Sequence, residues 1–263
     1  ITGNGKFISA VGTDQPGRDI IAFLNSGNFD TSLIQLDPEH QTGKAVVELS
    51  GSGEPSFNIV DHCAWDYIYR KADHNKILEN CDMLYYGTLA QRSIVTRDTI
   101  QNLWQNSLIK FCDLNIRQHY FDKQLILDSL TAADILKINS SEMSLVCRLL
   151  YEKDVNGTET GEFAQRLIDD FKLDLLCITL GEDGAAIYKE GKSSFCKAGK
   201  REIIDTVGAG DAFSAVLAIG HLLNWNIEKI ISAASAFAAD ICTVSGAVPP
   251  DRKFYDDFAA EYF

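Results

Sequence analysis

The turn at residues 208–210 combines small side chains with a carboxylate at its end, since Gly208-Ala209-Gly210 runs directly into Asp211 and an apolar stretch. Small residues let a ligand approach the backbone, and free N–H groups at a helix start bind anions. A carboxylate would repel a bound phosphate, unless it removes a proton from a hydroxyl group that attacks a phosphoryl group held by those amides. The turn therefore predicts phosphoryl transfer, with Asp211 as the base. It leaves open the alternative that Asp211 only caps the helix.

Two further oxygen donors, Asn139 and Glu142, stand between a predicted strand and a predicted helix. Mg²⁺ prefers oxygen ligands and keeps several of its waters, so one carboxylate and one amide could hold a hydrated Mg²⁺–phosphate complex. An Asn followed three residues later by Glu is also the ordinary capping box at a helix start. Taken alone, the spacing favours the capping box.

Other polar residues follow predicted strands in the same way. Asn115 and Arg117 come after residues 108–114, and Gly181 and Gly184 come after residues 175–180. Ligands of open α/β sheets bind beyond the carboxyl ends of the strands, so we expect these residues to meet the two motifs above at one sheet edge. Arg117 would clamp an anionic or polyhydroxy ligand there, unless it pairs with a surface acid.

Other phosphate-binding signatures are incomplete. Residues 191–193 resemble the end of a P-loop, but Ala186 stands where the leading glycine is required. Two Gly-x-Gly sequences begin a dinucleotide-binding fingerprint, but Ser56 and Phe213 occupy its last position. The sequence thus argues against a P-loop ATPase and a Rossmann dehydrogenase.

The elements that must position these residues alternate along the chain. The predicted strands are 7–11, 83–86, 108–114, 135–138 and 175–180, and the predicted helices are 19–25, 93–105, 123–132, 141–151, 162–171, 211–224 and 227–241. This order predicts an α/β fold with a doubly wound, mostly parallel sheet flanked by helices. Two β-prone runs joined by glycine and proline, 44–50 and 56–61, predict a hairpin. We assign 1–263 to one domain, with 29–61 as a small β lid or oligomer surface; a plain surface hairpin stays open.

Composition narrows the classes of partner. The 263 residues include 24 Lys and Arg against 37 Asp and Glu, for a net charge of −13, which argues against nucleic acid and anionic membrane surfaces. No apolar run reaches the roughly 18 residues of a membrane helix, and no signal peptide opens the chain. Seven singly scattered cysteines predict reduced thiols rather than disulfides or a zinc site. We therefore expect a cytoplasmic protein.

These motifs together resemble those of the ribokinase-like (phosphofructokinase B-type) carbohydrate kinases. Residues 205–213, D-T-V-G-A-G-D-A-F, look like the C-terminal signature of that family. Asn139-x-x-Glu142 resembles its N-x-x-E motif, and T-L-G-E-D-G at 179–184 is similar to its nucleotide turn. Y-G-T-L-A-Q-R at 86–92 and D-L-N-I-R at 113–117 look most like the fructokinase branch. The likeness covers roughly residues 6–250.

The resemblance implies a ribokinase-like kinase that phosphorylates a sugar hydroxyl with ATP and Mg²⁺, most specifically fructose to fructose 6-phosphate. It implies Asp211 as the base, the amides of Gly208, Ala209 and Gly210 as the anion hole, and Asn139 and Glu142 as water-mediated ligands of Mg²⁺–phosphate. It implies a nucleotide site at Asn139, Thr179, Gly181, Gly184, Gly208 and Gly210, and a substrate site at Asn115, Arg117 and Asp211. K⁺, if bound, would lie against Asp205, Val207, Ser245 and Gly246. The resemblance implies that 29–61 is the β lid, through which members of the family often form homodimers.

One departure from the family limits these assignments. The family's N-terminal strand, which carries a sugar-binding Asp, and its G-G-x-x-x-N helix have no counterpart here. We expect a natural chain about 30–50 residues longer on domain-size grounds, and the sugar contacts stay open accordingly. Alternatives are a kinase for another small sugar, a sugar acid or a nucleoside, and a sugar-binding protein without turnover. ADP in place of ATP as donor also stays open.

Overall fold

The computed structural model describes residues 5–49, 55–106, 108–154, 160–249 and 251–263, whose contacts divide them into two units. One unit comprises the described residues of Gly3–Cys81 and Leu89–Ser107, and the other contains Asp82–Thr88 and Leu108–Phe263. No helix within the described ranges is long and apolar enough to cross a membrane. The assignment of the whole chain to one kinase domain stays a prediction.

The smaller unit contains a parallel strand pair and a hairpin. Its elements are β1 (Ser9–Gly12), α1 (Gln15–Ser26), β2 (Ile34–Asp37), β3 (Ala45–Leu49), β4 (Pro55–Ile59), α2 (Ala72–Leu78) and α3 (Ile94–Leu103). Strands β3 and β4 pair antiparallel with Ala45 opposite Ile59, which confirms the predicted hairpin, although its connecting residues 50–54 lie outside the described residues. Strand β2 lies within the predicted excursion but pairs in parallel with β1. A lid or dimer role for 29–61 stays a prediction.

Asp14 fastens the first turn of α1 to a neighbouring loop. Its carboxylate accepts a hydrogen bond from the Gly17 amide at 3.1 Å, which makes it the N-cap of α1. The same carboxylate accepts hydrogen bonds from the amide and the hydroxyl of Thr42. These donors stabilise the ionised form, so the pKa of Asp14 is lowered, chiefly by the Thr42 hydroxyl.

The larger unit is built on a six-stranded sheet in the order β10-β9-β8-β7-β6-β5. Its strands are β5 (Met83–Tyr86), β6 (Ile109–Asp113), β7 (Ile135–Asn139), β8 (Leu175–Thr179), β9 (Ala185–Lys189) and β10 (Lys192–Cys196). Its helices are α4 (Lys123–Ala132), α5 (Ser140–Tyr151), α6 (Thr160–Phe171), α7 (Ala209–Leu222), α8 (Ile227–Ile241) and α9 (Lys253–Tyr262). Strands β5 to β8 are parallel and β9 and β10 are antiparallel, as the predicted mostly parallel sheet requires.

The central strands of this unit's sheet, β7 and β8, are buried on both faces. Neighbouring residues Ile135 and Leu136 of β7 point to opposite faces and are both fully buried. Helices α7 and α8 cover one face, where Val216 and Ile230 pack with Phe111 in one apolar core. Burial on both faces explains why the parallel strands form continuous apolar runs, which is the pattern that predicts them from sequence.

Strands β9 and β10 form a hairpin that apolar patterning does not predict. The connecting residues, Glu190 and Gly191, have φ values of 51° and 72°, as a two-residue type I′ turn requires. Strand β10 is mostly polar, and Phe195 on it is 54% exposed, so the strand lacks an apolar run. The hairpin is therefore visible in the sequence only through its turn.

The seven cysteines are free, as predicted. Four are buried, and Cys177 and Cys112 are fully enclosed by the sheet and its helices. Burial raises the pKa of the Cys177 thiol to about 12, which keeps it protonated and unreactive at neutral pH.

Candidate active site

The start of α7 presents backbone amide groups that lack acceptors. Gly208 is the N-cap with φ +86°, and a Cβ atom there would lie 2.8 Å from the Cα of Ala247, so both conformation and packing require glycine. The Ala209 amide donates to the Thr206 carbonyl at 3.3 Å. Within the described residues the amides of Gly210 and Asp211 have no acceptor, as expected in the first turn of a helix. The turn can therefore donate these two hydrogen bonds to an anion.

Asp211 does not cap the helix. It lies in the first turn of α7, three residues after the N-cap Gly208, and makes no side-chain capping hydrogen bond. Its side chain is exposed, and none of the described residues donates to its carboxylate. The capping alternative is therefore wrong, and the carboxylate can accept a hydrogen bond from a ligand.

Asn139 and Glu142 form the capping box that their spacing indicates. The Asn139 Oδ1 accepts from the Glu142 amide at 2.8 Å, and the Glu142 Oε2 accepts from the Asn139 amide at 2.9 Å. The second oxygen of Glu142 also accepts from the Ile116 amide at 2.8 Å, which ties α5 to the loop after β6. Burial raises the pKa of Glu142, while the two amide donors oppose that shift. Each oxygen keeps a lone pair, so the pair could still accept from the waters of a hydrated cation.

A cavity of about 240 Å³ opens beside the glycine-rich turn. Four of the predicted nucleotide residues line it, namely Thr179, Gly181, Gly184 and Gly210. Asn139 and Gly208 do not line it, although Asn139 lies opposite Thr179 at the carboxyl ends of β7 and β8. A Cβ atom on Gly184, whose φ is +116°, would lie 2.0 Å from the Cys196 carbonyl oxygen, so only glycine permits this turn.

Among the polar residues of this cavity that sequence reasoning missed, Arg201 pairs with Asp240, whereas Ser235 on α8 has no partner among the described residues. The residue is 8% exposed, and its Oγ is a buried atom without a hydrogen-bond partner among the described residues. An unpaired buried hydroxyl is unfavourable unless a ligand supplies its partner. Its position on the buried stripe of an apolar helix is the signal that could have singled it out.

The loop after β6 carries Asn115 and Arg117 in a strained backbone. Asn115 and Gln118 have φ values of 41° and 49°, which few residues other than glycine adopt. The Arg117 side chain is exposed, and no described acid pairs with it, so the surface ion pair left open by the sequence is wrong within the described residues. Because the Ile116 amide donates a hydrogen bond to Glu142, this loop is held at the same sheet edge as the start of α5.

Asp205 joins the loop after α8 to the turn before α7. Its Oδ1 accepts from the Val207 amide at 3.0 Å, and its Oδ2 accepts from the Gly246 amide at 2.9 Å. These donors lower the pKa of Asp205. Three of the four residues predicted for K⁺ are thus brought together, and Ser245 precedes Gly246 on the exposed surface.

A buried charged group lies under the turn and was also missed. The Lys137 Nζ donates to the Asp113 Oδ2 at 2.8 Å, and the Ser214 Oγ donates to the same oxygen at 2.7 Å. All three residues are at most 7% exposed. A lysine among the otherwise apolar residues 135–138 is the sequence signal, because lysine is almost never buried without a partner.

The chain is similar to known proteins over most of its length. Residues 2–253 match the family described as "pfkB family carbohydrate kinase". The chain is 24% identical over 270 residues to probable fructokinase-2 of Arabidopsis thaliana, covering 94% of this chain and 78% of that protein. It is 25% identical over 261 residues to the aminoimidazole riboside kinase of Salmonella typhimurium, with the same two coverages. The crystal structure of a putative ribokinase II from E. coli, in complex with ATP and Mg²⁺, superimposes with a TM-score of 0.79 at 20% identity, covering 97% of this chain and 82% of that one.

Proposed function

Because the chain belongs to the pfkB family of carbohydrate kinases, we propose that it transfers the γ-phosphoryl group of ATP to fructose, giving fructose 6-phosphate and ADP. The observation that carries the proposal is Asp211, an exposed carboxylate without a capping role, located next to amide groups that lack acceptors. This pairing suits a base beside a phosphoryl group. Asp211 also argues against a sugar-binding protein without turnover, because binding alone needs no base.

The turn and Asp211 would share the chemical step. The sugar oxygen forms a bond to the γ-phosphorus while the bond between that phosphorus and the ADP oxygen breaks. Asp211 accepts the proton of the attacking hydroxyl group, and the amides of Gly210 and Asp211 donate to the transferring phosphoryl oxygens. Most of the rate enhancement then comes from positioning and from preorganised donors rather than from covalent catalysis.

The nucleotide base would occupy the cavity lined by Thr179, Gly181 and Gly184. Its walls are mostly small and apolar, with Phe213 and alanines of α8 facing the same space. The Ser235 Oγ would supply one hydrogen bond to the base. This arrangement supports a flat heterocycle that is held by packing and oriented by few polar groups.

Mg²⁺ and K⁺ would be held by different oxygen donors. Carboxylate and amide oxygens of Glu142 and Asn139 fit Mg²⁺ through its waters, and the described residues contain no cluster of three or more His, Cys, Asp or Glu that would ligate a metal directly. When bound, Mg²⁺ neutralises charge on the phosphates. K⁺ would lie against Asp205, Val207, Ser245 and Gly246, where the Asp205 carboxylate, which also accepts from the Val207 and Gly246 amides, would be its charged ligand.

The substrate would lie near Asn115 and Arg117. An arginine without a described partner suits a polyhydroxy ligand and suits a carboxylate even better. Arg117 therefore favours a sugar acid as the second candidate substrate. An Arg117→Ala variant separates the two, because an acidic sugar would lose far more binding than fructose.

The test is ADP release from ATP by the full-length protein with fructose, ribose, glucose, a keto-deoxy sugar acid, fructose 6-phosphate and adenosine. Asp211→Asn should lower kcat by about 10²–10⁴-fold and leave the KM for ATP largely unchanged. Asp256→Asn is the matched control, because Asp256 is also an exposed aspartate in the first turn of a helix. Turnover of another substrate alone would refute fructose. Equal kcat in wild type and Asp211→Asn would refute Asp211 as the base.

A further inference from the structure

Building on the proposed function, we propose that Lys137, Asp113 and Ser214 act as positioning residues that hold the first turn of α7 against the sheet. That turn carries Asp211 and the amide groups assigned to the phosphoryl group. All three side chains are buried, so their effect would pass through the turn itself. We call the three residues the buried triad.

The sheet register places the first two members side by side. Asp113 on β6 and Lys137 on β7 are register partners in the parallel pairing, and they are 3% and 7% exposed. The Lys137 Nζ lies 2.8 Å from the Asp113 Oδ2. Asp113 is the last residue of β6, at the edge where an open α/β sheet binds its ligands, and Lys137 is the middle residue of β7. A buried ion pair is weak evidence for stability, because apolar side chains of similar volume often stabilise a protein equally well. Stability alone therefore does not explain why an ion pair is found at this edge of the sheet.

Ser214 connects this ion pair to the turn. Its Oγ donates to the Asp113 Oδ2 at 2.7 Å and lies 2.9 Å from the Gly210 carbonyl oxygen, one helical turn earlier on α7. The ammonium of Lys137 lies close beneath the same residue, 3.9 Å from where a Cβ atom of Gly210 would be. Ser214 thus contacts the turn directly, Lys137 lies close beneath it, and Asp113 joins the two.

Tyr85 completes the set of donors and supplies a matched control. Its hydroxyl group donates to the Asp113 Oδ2 at 2.8 Å. Its neighbour Tyr86 donates at the same distance to the Ser129 carbonyl oxygen, away from the turn. Tyr85→Phe and Tyr86→Phe therefore remove the same atom from the same strand, and only the first removes a donor to the triad.

The experiment compares Ser214→Ala, Tyr85→Phe and Tyr86→Phe in full-length protein. Misplacing the turn should lower kcat by roughly 10- to 100-fold in Ser214→Ala, with the KM for ATP unchanged. Tyr85→Phe should lower kcat less, and Tyr86→Phe should leave kcat unchanged while lowering the melting temperature. Ser214→Thr, which keeps the hydroxyl group, should restore kcat. Equal kcat in Ser214→Ala and Tyr86→Phe would overturn the proposal.

Two further experiments complete the test: a double variant that should still fold, and a hydrogen-exchange measurement that needs no turnover. Lys137→Met alone leaves the Asp113 charge buried without its cation, so Lys137→Met with Asp113→Asn is the variant to use. It should fold, yet kcat should stay low. Hydrogen exchange of the amides at 208–214 should accelerate in Ser214→Ala and not in Tyr86→Phe. If wild type phosphorylates no sugar, the proposed function fails, whereas unchanged exchange in Ser214→Ala refutes the positioning role.

Discussion

Replacing Gly208 by alanine should destabilise the protein through two separate physical causes. Its φ of +86° lies in the left-handed region, where a side chain is unfavourable. In addition, the new Cβ would lie 2.8 Å from both the Cα and the Cβ of Ala247, closer than van der Waals contact permits. Because the Cα belongs to the backbone, the clash cannot be relieved by turning a side chain.

The magnitude follows from treating the two causes separately. The left-handed conformation costs about 1–2 kcal/mol for a residue with a Cβ. Overpacking against a fixed neighbour costs about 1–3 kcal/mol more. We therefore expect Gly208→Ala to lower the free energy of unfolding by about 2–5 kcal/mol. The shift of the turn should also lower kcat by roughly 100-fold.

The assay is urea unfolding of wild type, Gly208→Ala and a matched control, Gly191→Ala. Gly191 has a similar φ of +72°, but a Cβ there would meet nothing within 4 Å among the described residues. The control should therefore lose only about 1–2 kcal/mol and keep full activity. Equal losses in the two variants would show that the contact with Ala247 is not what makes glycine necessary at 208.

Three further predictions concern single side chains. The pKa of Asp14 is lowered below 3.8 in the folded protein, so its contribution to stability is present above that pH and is lost as the pH falls through the folded pKa. The melting temperatures of Asp14→Asn and wild type should therefore differ most near neutral pH and converge in acid. Asn139→Ala and Asn226→Ala both remove an N-cap hydrogen bond of 2.8 Å, and each should lower the free energy of unfolding, measured thermally, by about 1 kcal/mol. Only Asn139→Ala should also raise the Mg²⁺ concentration needed for half-maximal activity. Ser235→Ala should weaken ATP binding by about two- to tenfold in calorimetry, because it removes one hydrogen bond. An unchanged affinity would contradict the proposed hydrogen bond between Ser235 and the nucleotide base.

Local patterns in the sequence are sufficient to predict much of the fold. The apolar stripe at 227–241 and the apolar run at 83–86 predict α8 and β5 with the bounds that the structure has. The glycine- and proline-containing joint predicts the β3–β4 hairpin, which the strand register confirms. In each case neighbours in sequence determine the element, so periodicity and turn chemistry carry the information.

The candidate site is less accessible to such reasoning, because its contacts join distant segments. Asp113 and Lys137 meet only through the register of β6 and β7, which no local pattern specifies. Whether Asp211 caps α7 or stands free depends on which residue of the turn takes the N-cap position. The spacing of Asn139 and Glu142 correctly predicts a capping box. It does not predict the hydrogen bond that Glu142 also accepts from the Ile116 amide.

The Asp205 carboxylate has a consequence for engineering. It accepts hydrogen bonds from the amides of Val207 and of Gly246, and Gly246 lies 41 residues further along the chain than Asp205. The segment between them, which contains the helical hairpin α7–α8, therefore starts and ends at the same place on the sheet edge and forms a closed loop. Lengthening a loop that is already closed adds little entropic cost. The connection at residues 223–226 lies at the other end of α7, which at 14 residues is roughly 21 Å long. An inserted reporter peptide should be accommodated there, leaving the turn at 208–211 as it is.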